Sequence, residues 1–189
     1  MGGLPSHLIN LRSEIDKIAN RYPDISFISF GDSLLLKSNW SVGYSKIDMK
    51  YTYSPEVFIS LAAEINGIYQ NVLDLKAYAV ITQGSNEYYD DSSIHISSLG
   101  NHVCLNSLGI PFAQLMEIET EARKAIRANI HDRADLYIDE SYFHSLKFRY
   151  GFEKKTESSN DYQSKMMSTP SKYYYFSYES ILKNLDKKK

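Results

Sequence analysis

The sequence predicts a mixed α+β fold, in which helices pack against one face of a largely antiparallel sheet. Amphipathic stretches with helical spacing alternate with short apolar stretches typical of strands, and a Gly-Asp pair joins the first two strands. The 189 residues are enough for one domain with a sizeable core. We expect that domain over residues 1–150, a mobile polar loop over residues 151–171, and a closing strand and short helix over residues 172–189 that pack on the same domain.

The first helix is predicted over residues 5–22, because apolar residues recur at helical spacing with charged residues between them. Ser6 is the expected N-cap of this helix, and Pro23 is the expected stop. Two β-rich runs follow, Ile25–Phe30 and Leu34–Trp40, and the Gly-Asp pair between them predicts a hairpin with a tight turn.

Helices and short strands alternate after the hairpin. Pro55 follows a capping serine and opens a second helix that ends near Leu75. A strand is predicted over residues 77–82, a third helix opens at residues 108–111, and a further strand over residues 134–139 precedes a short helix over residues 140–146. A β-like stretch at residues 173–176 and a short amphipathic helix close the chain.

The composition excludes several classes of protein. A formal net charge of −2 gives no electrostatic basis for binding nucleic acid or an anionic membrane. The single cysteine, Cys104, excludes a disulfide framework and a thiolate metal cluster. No apolar run is long enough to span a membrane, and no signal-peptide pattern is present. We therefore expect a cytoplasmic protein without a nucleic-acid or membrane partner.

Four blocks of sequence carry a family resemblance through their order and spacing. They are the turn Phe30–Ser33, the glycine-ended strand Ala79–Gly84, the segment Leu108–Glu119 in which a glycine opens a long helix, and the strand entry His131–Asp139. In these blocks the chain resembles the class III nucleotidyl cyclases, and it is most similar to the pyrimidine cyclases of bacterial anti-phage defence.

The resemblance implies a ferredoxin-like core and an enzyme that converts UTP or CTP to the 3′,5′-cyclic monophosphate and pyrophosphate, as a second-messenger synthase. It implies a homodimer with active sites at the interface and Mg²⁺ or Mn²⁺ as cofactor. Asp32 would then bind the metal, and Arg133 would act on the phosphates from across the dimer interface. Gly31, Ser33 and Thr82 would contact the nucleotide.

The chain also departs from the family. No strand with the family's first metal aspartate precedes the first helix, so the resemblance predicts a shortened member or a reading frame that begins upstream. The Asn and Arg of adenylate and guanylate cyclases fall on Ala113 and Glu117, a departure that pyrimidine cyclases share. The alternative function is a catalytically degenerate cyclase-homology domain that binds nucleotide or dimerises. A further alternative is an unrelated α+β binding module.

Each candidate residue also has a structural interpretation. Asp32 would cap its turn through its side chain, Arg133 would be a solvated charge at a strand entry, and Thr82 would be an ordinary β-branched strand residue. His131 would be a surface turn residue rather than a proton carrier. Glu117 and Glu119 would form a solvated helix face or a salt bridge.

Overall fold

The computed structural model describes residues 5–23, 25–30, 33–38, 55–84, 86–88, 107–150 and 173–186. These residues belong to two compact units, Met1–Ala77 and Tyr78–Lys189. Each unit has its own helices, strands and buried cluster. The mixed α+β class predicted from the sequence is confirmed.

The first unit contains two helices and a hairpin: α1 (Ser6–Ala19), β1 (Ile25–Phe30), β2 (Ser33–Ser38) and α2 (Glu56–Leu73). Strands β1 and β2 pair antiparallel, as the Gly-Asp pair predicts. Phe30 is the register partner of Ser33, so only residues 31 and 32 connect the two strands.

The core of the first unit lies where the two helices meet the hairpin. Its buried members come from α1, β1 and α2, and they are Ile15, Ile18, Ile25, Leu61, Ile65 and Tyr69. Leu8 precedes the buried Ile15 by two helical turns and is nevertheless 50% exposed, so the buried face of α1 does not extend to the beginning of the helix. Ser6 is not the cap: α1 begins directly after Pro5, with no side-chain cap hydrogen bond.

The second unit contains the remaining elements: β3 (Ala79–Ile81), β4 (Asn86–Tyr88), β5 (Ser107–Gly109), α3 (Ile110–Arg127), β6 (Leu136–Asp139), α4 (Glu140–Tyr150), β7 (Tyr173–Phe176) and α5 (Tyr178–Asp186). Its main sheet has the strand order β3-β6-β7, and β4 pairs with β5 in a separate two-stranded sheet. The β3–β6 pairing is parallel, whereas β6–β7 and β4–β5 are antiparallel.

The arrangement of the sheets differs from the prediction of one sheet covered on one face. In the part of the chain that the structure describes, the strands form three small sheets. Helix α3 lies between β3 and β6 along the chain, and such a crossover allows the two strands to run parallel.

Helices contact both faces of the main sheet. Ile118 and Ala122 of α3 pack with Tyr137 and Tyr173, whereas Phe143 of α4 stacks on Tyr174, whose side chain alternates to the other face. All four residues of β6 are buried, as expected for a strand covered on both sides.

Candidate functional site

The residues that the sequence analysis assigns to the site fall on both units. Gly31 and Asp32 lie outside the described residues. Ser33 begins β2 in the first unit and is exposed. Thr82 and Arg133 belong to the second unit.

Thr82 and Arg133 lie at opposite ends of the parallel β3–β6 pair. Ala79 is the register partner of Leu136 and Ile81 is the partner of Ile138, so the two strands begin at the same edge. Arg133 precedes β6 at that edge, whereas Thr82 follows β3 at the other. The length of the three-residue strand, about 10 Å, separates the two positions. Thr82 and Arg133 therefore do not lie next to each other in the chain's own fold.

The exposed side chain of Arg133 lies over an aromatic ring. Its Cζ is 5.2 Å from the centroid of the Tyr78 ring, a cation–π distance. The Tyr78 hydroxyl donates to Glu119 Oε1 at 2.7 Å and accepts from Nε and Nη2 of Arg123 at 3.3 and 3.2 Å. Arg123 also forms an ion pair with Glu119, which is the salt bridge expected of that glutamate.

Burial, and then the hydrogen bond to Glu119, raises the pKa of Tyr78 above its ordinary value. The phenol is protonated at neutral pH, and the raised pKa extends to more alkaline pH the range in which it donates to the glutamate. The Tyr78 ring is held at one end by this hydrogen-bonded group, while its face remains in contact with Arg133.

The loop that carries Arg133 is held by backbone hydrogen bonds at both of its ends. Ile130 N–H donates to the Ala125 carbonyl at 2.9 Å, and Asp135 N–H donates to the Phe176 carbonyl at 3.1 Å. Ala134 N–H donates to the Tyr137 hydroxyl at 3.0 Å. Because these partners lie on α3, β6 and β7, the position of the loop is determined by three elements of the second unit.

His131 is buried, with 7% of its surface exposed, so its interpretation as a surface turn residue is wrong. Nδ1 lies 2.7 Å from the carbonyl oxygen of Asp132, and Nε2 lies 2.9 Å from the hydroxyl of Tyr173. Since a carbonyl oxygen only accepts, Nδ1 carries the hydrogen and Nε2 accepts from Tyr173. The imidazole also stacks on Tyr175, with ring centroids 4.2 Å apart. His131 therefore ties the Arg133 loop to β7.

The edge at which Thr82 lies contains a carboxylate that the sequence analysis missed. Asp139 is 3% exposed, and its two oxygens accept from the N–H groups of Gln83 at 3.2 Å and Tyr142 at 2.8 Å. Burial raises the pKa of Asp139, and these two hydrogen bonds oppose the rise. The side chain caps α4, which begins at the next residue. An aspartate before a predicted helix was the signal for this role.

The described part of the chain offers little else that resembles a ligand site. A groove of 310 Å³ lies between α1 and α2, and none of the predicted site residues lines it. Across the described ranges, no group of three or more His, Cys, Asp or Glu side chains is placed to hold a metal ion. Asp32, the residue that the resemblance assigns to a metal, lies outside those ranges.

No helix among the described residues has both the length and the apolar character needed to cross a membrane. Comparison of the chain with protein-family models, with curated proteins and with solved structures gave no match.

Proposed function

We propose that the chain is a nucleotidyl cyclase-like protein that converts UTP or CTP to its 3′,5′-cyclic monophosphate and pyrophosphate, acting as a homodimer in anti-phage signalling. The observation that carries the proposal is the register of the first hairpin. Because Phe30 pairs with Ser33, Asp32 is one of the two residues that join β1 to β2. The class III cyclase resemblance assigns a metal-binding aspartate to such a hairpin turn.

The order of elements gives further support. The hairpin is followed by α2 and then by β3, α3 and β6, with β3 and β6 parallel. The glycine-ended strand of the resemblance corresponds to β3 and its continuation through Gly84, and the glycine-opened helix corresponds to α3 after Gly109. A ferredoxin-like core remains part of the proposal.

In the proposed reaction the ribose 3′ oxygen forms a bond to the α-phosphorus, the bond from that phosphorus to pyrophosphate breaks, and the 3′-hydroxyl proton passes to water. Catalysis of such a transfer rests on positioning and on stabilisation of phosphate charge. Asp32 would hold Mg²⁺ or Mn²⁺, which supplies charge neutralisation when bound. Arg133 would stabilise phosphate charge in the site of the partner subunit, as the resemblance implies.

Two hydroxyl groups and a glycine would complete the binding of the nucleotide. Ser33 is exposed at the start of β2, where its hydroxyl would donate to a phosphate oxygen. Gly31 would let the backbone approach the phosphates closely, since it has no side chain. Thr82, at the end of β3, would contact the base.

The direct test is to incubate the purified full chain with each of the four nucleoside triphosphates and Mn²⁺ and to measure cyclic monophosphates by mass spectrometry. We expect cyclic UMP or cyclic CMP from the wild type and none from Asp32→Ala. Asp16→Ala is the matched control, because Asp16 is an exposed acid of α1 with a distant surface partner, Arg12 at 3.8 Å. A folded wild type that yields no cyclic product overturns the proposed activity.

A binding measurement then separates the remaining interpretations. If the wild type makes no product but binds triphosphate in a Mn²⁺-dependent way that Asp32→Ala abolishes, the degenerate cyclase-homology module replaces the enzyme. If Asp32→Ala leaves metal and nucleotide binding unchanged, Asp32 has only a structural role between the two strands. The chain would then be an unrelated α+β binding module.

A further inference from the structure

Gln83 is an exposed residue that is nevertheless held through both its backbone and its side chain. Its backbone N–H donates to Asp139 Oδ2 at 3.2 Å, and its side-chain Oε1 accepts from the Ser145 hydroxyl at 2.8 Å. Asp139 ends β6, and Ser145 lies on the helix α4 that follows. An exposed glutamine is ordinarily free to rotate about the bonds of its side chain. Here the amide group is oriented before any ligand is present, which lowers the entropy cost of binding.

The Ser145 hydroxyl determines which atom of the Gln83 amide faces outward. The hydroxyl has a single hydrogen, and of its two acceptors Gln83 Oε1 at 2.8 Å is closer than the Ser141 carbonyl at 3.2 Å. In the described part of the chain, the Gln83 side chain makes no other hydrogen bond, so both hydrogens on Nε2 can bind a ligand. The amide therefore presents hydrogen-bond donors to a ligand, while its acceptor faces the protein.

Gln83 lies beside the residue that is proposed to contact the base. It directly follows Thr82, at the edge of the main sheet where the parallel strands β3 and β6 end. Ligands of sheets with parallel strands commonly bind beyond the carboxyl ends of those strands. A base in contact with Thr82 would therefore be within reach of the Gln83 amide.

The two pyrimidine bases differ in the hydrogen bonds that they form at the 4-position. Uracil has a carbonyl oxygen there, which accepts, whereas cytosine has an amino group, which donates. The 2-position is a carbonyl in both bases and does not distinguish them. A donor from the protein pairs with the 4-carbonyl of uracil, and it opposes the amino group of cytosine, so that both donors lose a partner.

We propose that Gln83 selects the base, that its Nε2 donates to the 4-carbonyl of uracil, and that Ser145 is a positioning residue which keeps the amide in this orientation. The chain takes UTP in preference to CTP. The choice of a pyrimidine nucleotide rests on the proposed function. The orientation of the Gln83 amide rests only on its contacts with Asp139 and Ser145.

Binding of the α,β-methylene analogues of UTP and CTP to the full chain, measured by isothermal titration calorimetry with Mn²⁺, tests base selection. The methylene bridge prevents the loss of pyrophosphate, so binding is measured without reaction. We expect the wild type to bind the uridine analogue about tenfold more tightly, because the cytidine analogue replaces a hydrogen bond by two opposed donors. Gln83→Glu is expected to reverse the preference, because its carboxylate accepts from the amino group. Gln70→Glu is the matched control, since Gln70 is an exposed glutamine of α2.

Substitutions of Ser145 test the orientation of the amide. Ser145→Ala removes the donor that holds Oε1, so the amide can turn and present its oxygen, and the preference for the uridine analogue is expected to fall at least about threefold. Ser145→Thr keeps a hydroxyl and is expected to retain the preference. Ser141→Ala, on the same helix, is the control, because its backbone carbonyl remains. A merely structural role of Ser145 would weaken the binding of both analogues equally and leave their ratio unchanged.

Equal affinity of the wild type for the two analogues, or a preference for the cytidine analogue, overturns the inference. An unchanged ratio of affinities in Gln83→Glu or in Ser145→Ala overturns it as well, as does failure of the folded wild type to bind either analogue.

The same variants distinguish this inference from the proposed function. Uridine-selective binding that depends on Gln83 and Ser145, without any cyclic product, supports base selection and removes the cyclase activity. Cyclic products that form from UTP and CTP in a ratio unchanged by Gln83→Glu and by Ser145→Ala support the activity and overturn base selection.

Discussion

Two tyrosines on one face of β7 are predicted to respond in opposite ways to the same substitution. The hydroxyl of Tyr173 donates to Nε2 of His131 at 2.9 Å, and Tyr173 is fully buried. The hydroxyl of Tyr175, two residues further on, is also buried but has no hydrogen-bond partner in the described part of the chain. Replacing each tyrosine by phenylalanine removes one oxygen and leaves the ring packing in place.

The expected change in the free energy of unfolding depends on whether the hydroxyl that is removed had a hydrogen-bond partner. In Tyr173→Phe, Nε2 of His131 becomes a buried acceptor without a donor, which costs roughly 1–3 kcal/mol in the free energy of unfolding. In Tyr175→Phe a buried, unsatisfied hydroxyl is removed, so the free energy of unfolding is unchanged or rises by up to about 1 kcal/mol. The two variants are matched in volume, strand and chemistry.

Urea unfolding followed by circular dichroism measures both changes. Because the chain has two compact units, hydrogen exchange of the peptide that contains β6 is measured as well, so that the effect is assigned to the second unit. Equal effects of the two substitutions would refute the reasoning, as would a loss below about 0.5 kcal/mol in Tyr173→Phe. A double-mutant cycle with His131→Ala adds a direct check, since the removal of the tyrosine hydroxyl costs little once the imidazole is absent.

Three further predictions concern pH, a helix cap and a helix interior. Burial raises the pKa of Tyr173 to about 12, against an ordinary value of 10.0. The folded chain therefore keeps this proton up to a higher pH than the unfolded chain does. The free energy of unfolding consequently falls as pH rises from 10 towards 12, and urea unfolding is expected to show a smaller fall in Tyr173→Phe. Asp139→Ala removes the cap of α4 and is expected to lower the free energy of unfolding by about 1–3 kcal/mol. Thermal unfolding would show this as a fall in Tm of roughly 2–4 °C for each kcal/mol. Glu140→Gln, at the exposed neighbouring residue, is the control and is expected to be near neutral. Gly67→Ala is expected to stabilise α2 by about 0.5–1 kcal/mol in urea unfolding, because an added Cβ meets nothing within 4 Å; no gain would indicate an unseen clash.

Local sequence patterns predict some contacts of the candidate site and give no sign of others. A solvated helix face and a salt bridge were both open for Glu119, and it pairs with Arg123 four residues later on the same helix face. The same pattern gave no indication that Tyr78 would join this pair, because 41 residues separate Tyr78 from Glu119. Asp139 both ends a strand and directly precedes a helix, and only the second position indicates its role as a cap.

Elements with local sequence signals could be predicted without the structure. The second helix predicted from the sequence is α2, and Leu61, Ile65 and Tyr69, which recur at a spacing of four along it, are buried. A Gly-Asp pair between two β-rich runs predicted the hairpin of β1 and β2. These features depend on side chains within a few residues of one another, so that spacing along the chain is enough to specify them.

The pairing of the strands and the burial of polar residues depend on contacts between distant parts of the chain. The parallel β3–β6 pairing depends on how α3 packs against the sheet. The alternation of residues within each strand carries no information about this packing. His131 lies in a polar turn whose local sequence predicts exposure, yet β7 covers it with Tyr173 and Tyr175. Residues 131 and 173 are 42 positions apart, so their hydrogen bond forms only when β7 pairs with β6. This hydrogen bond offsets the cost of burying the polar imidazole.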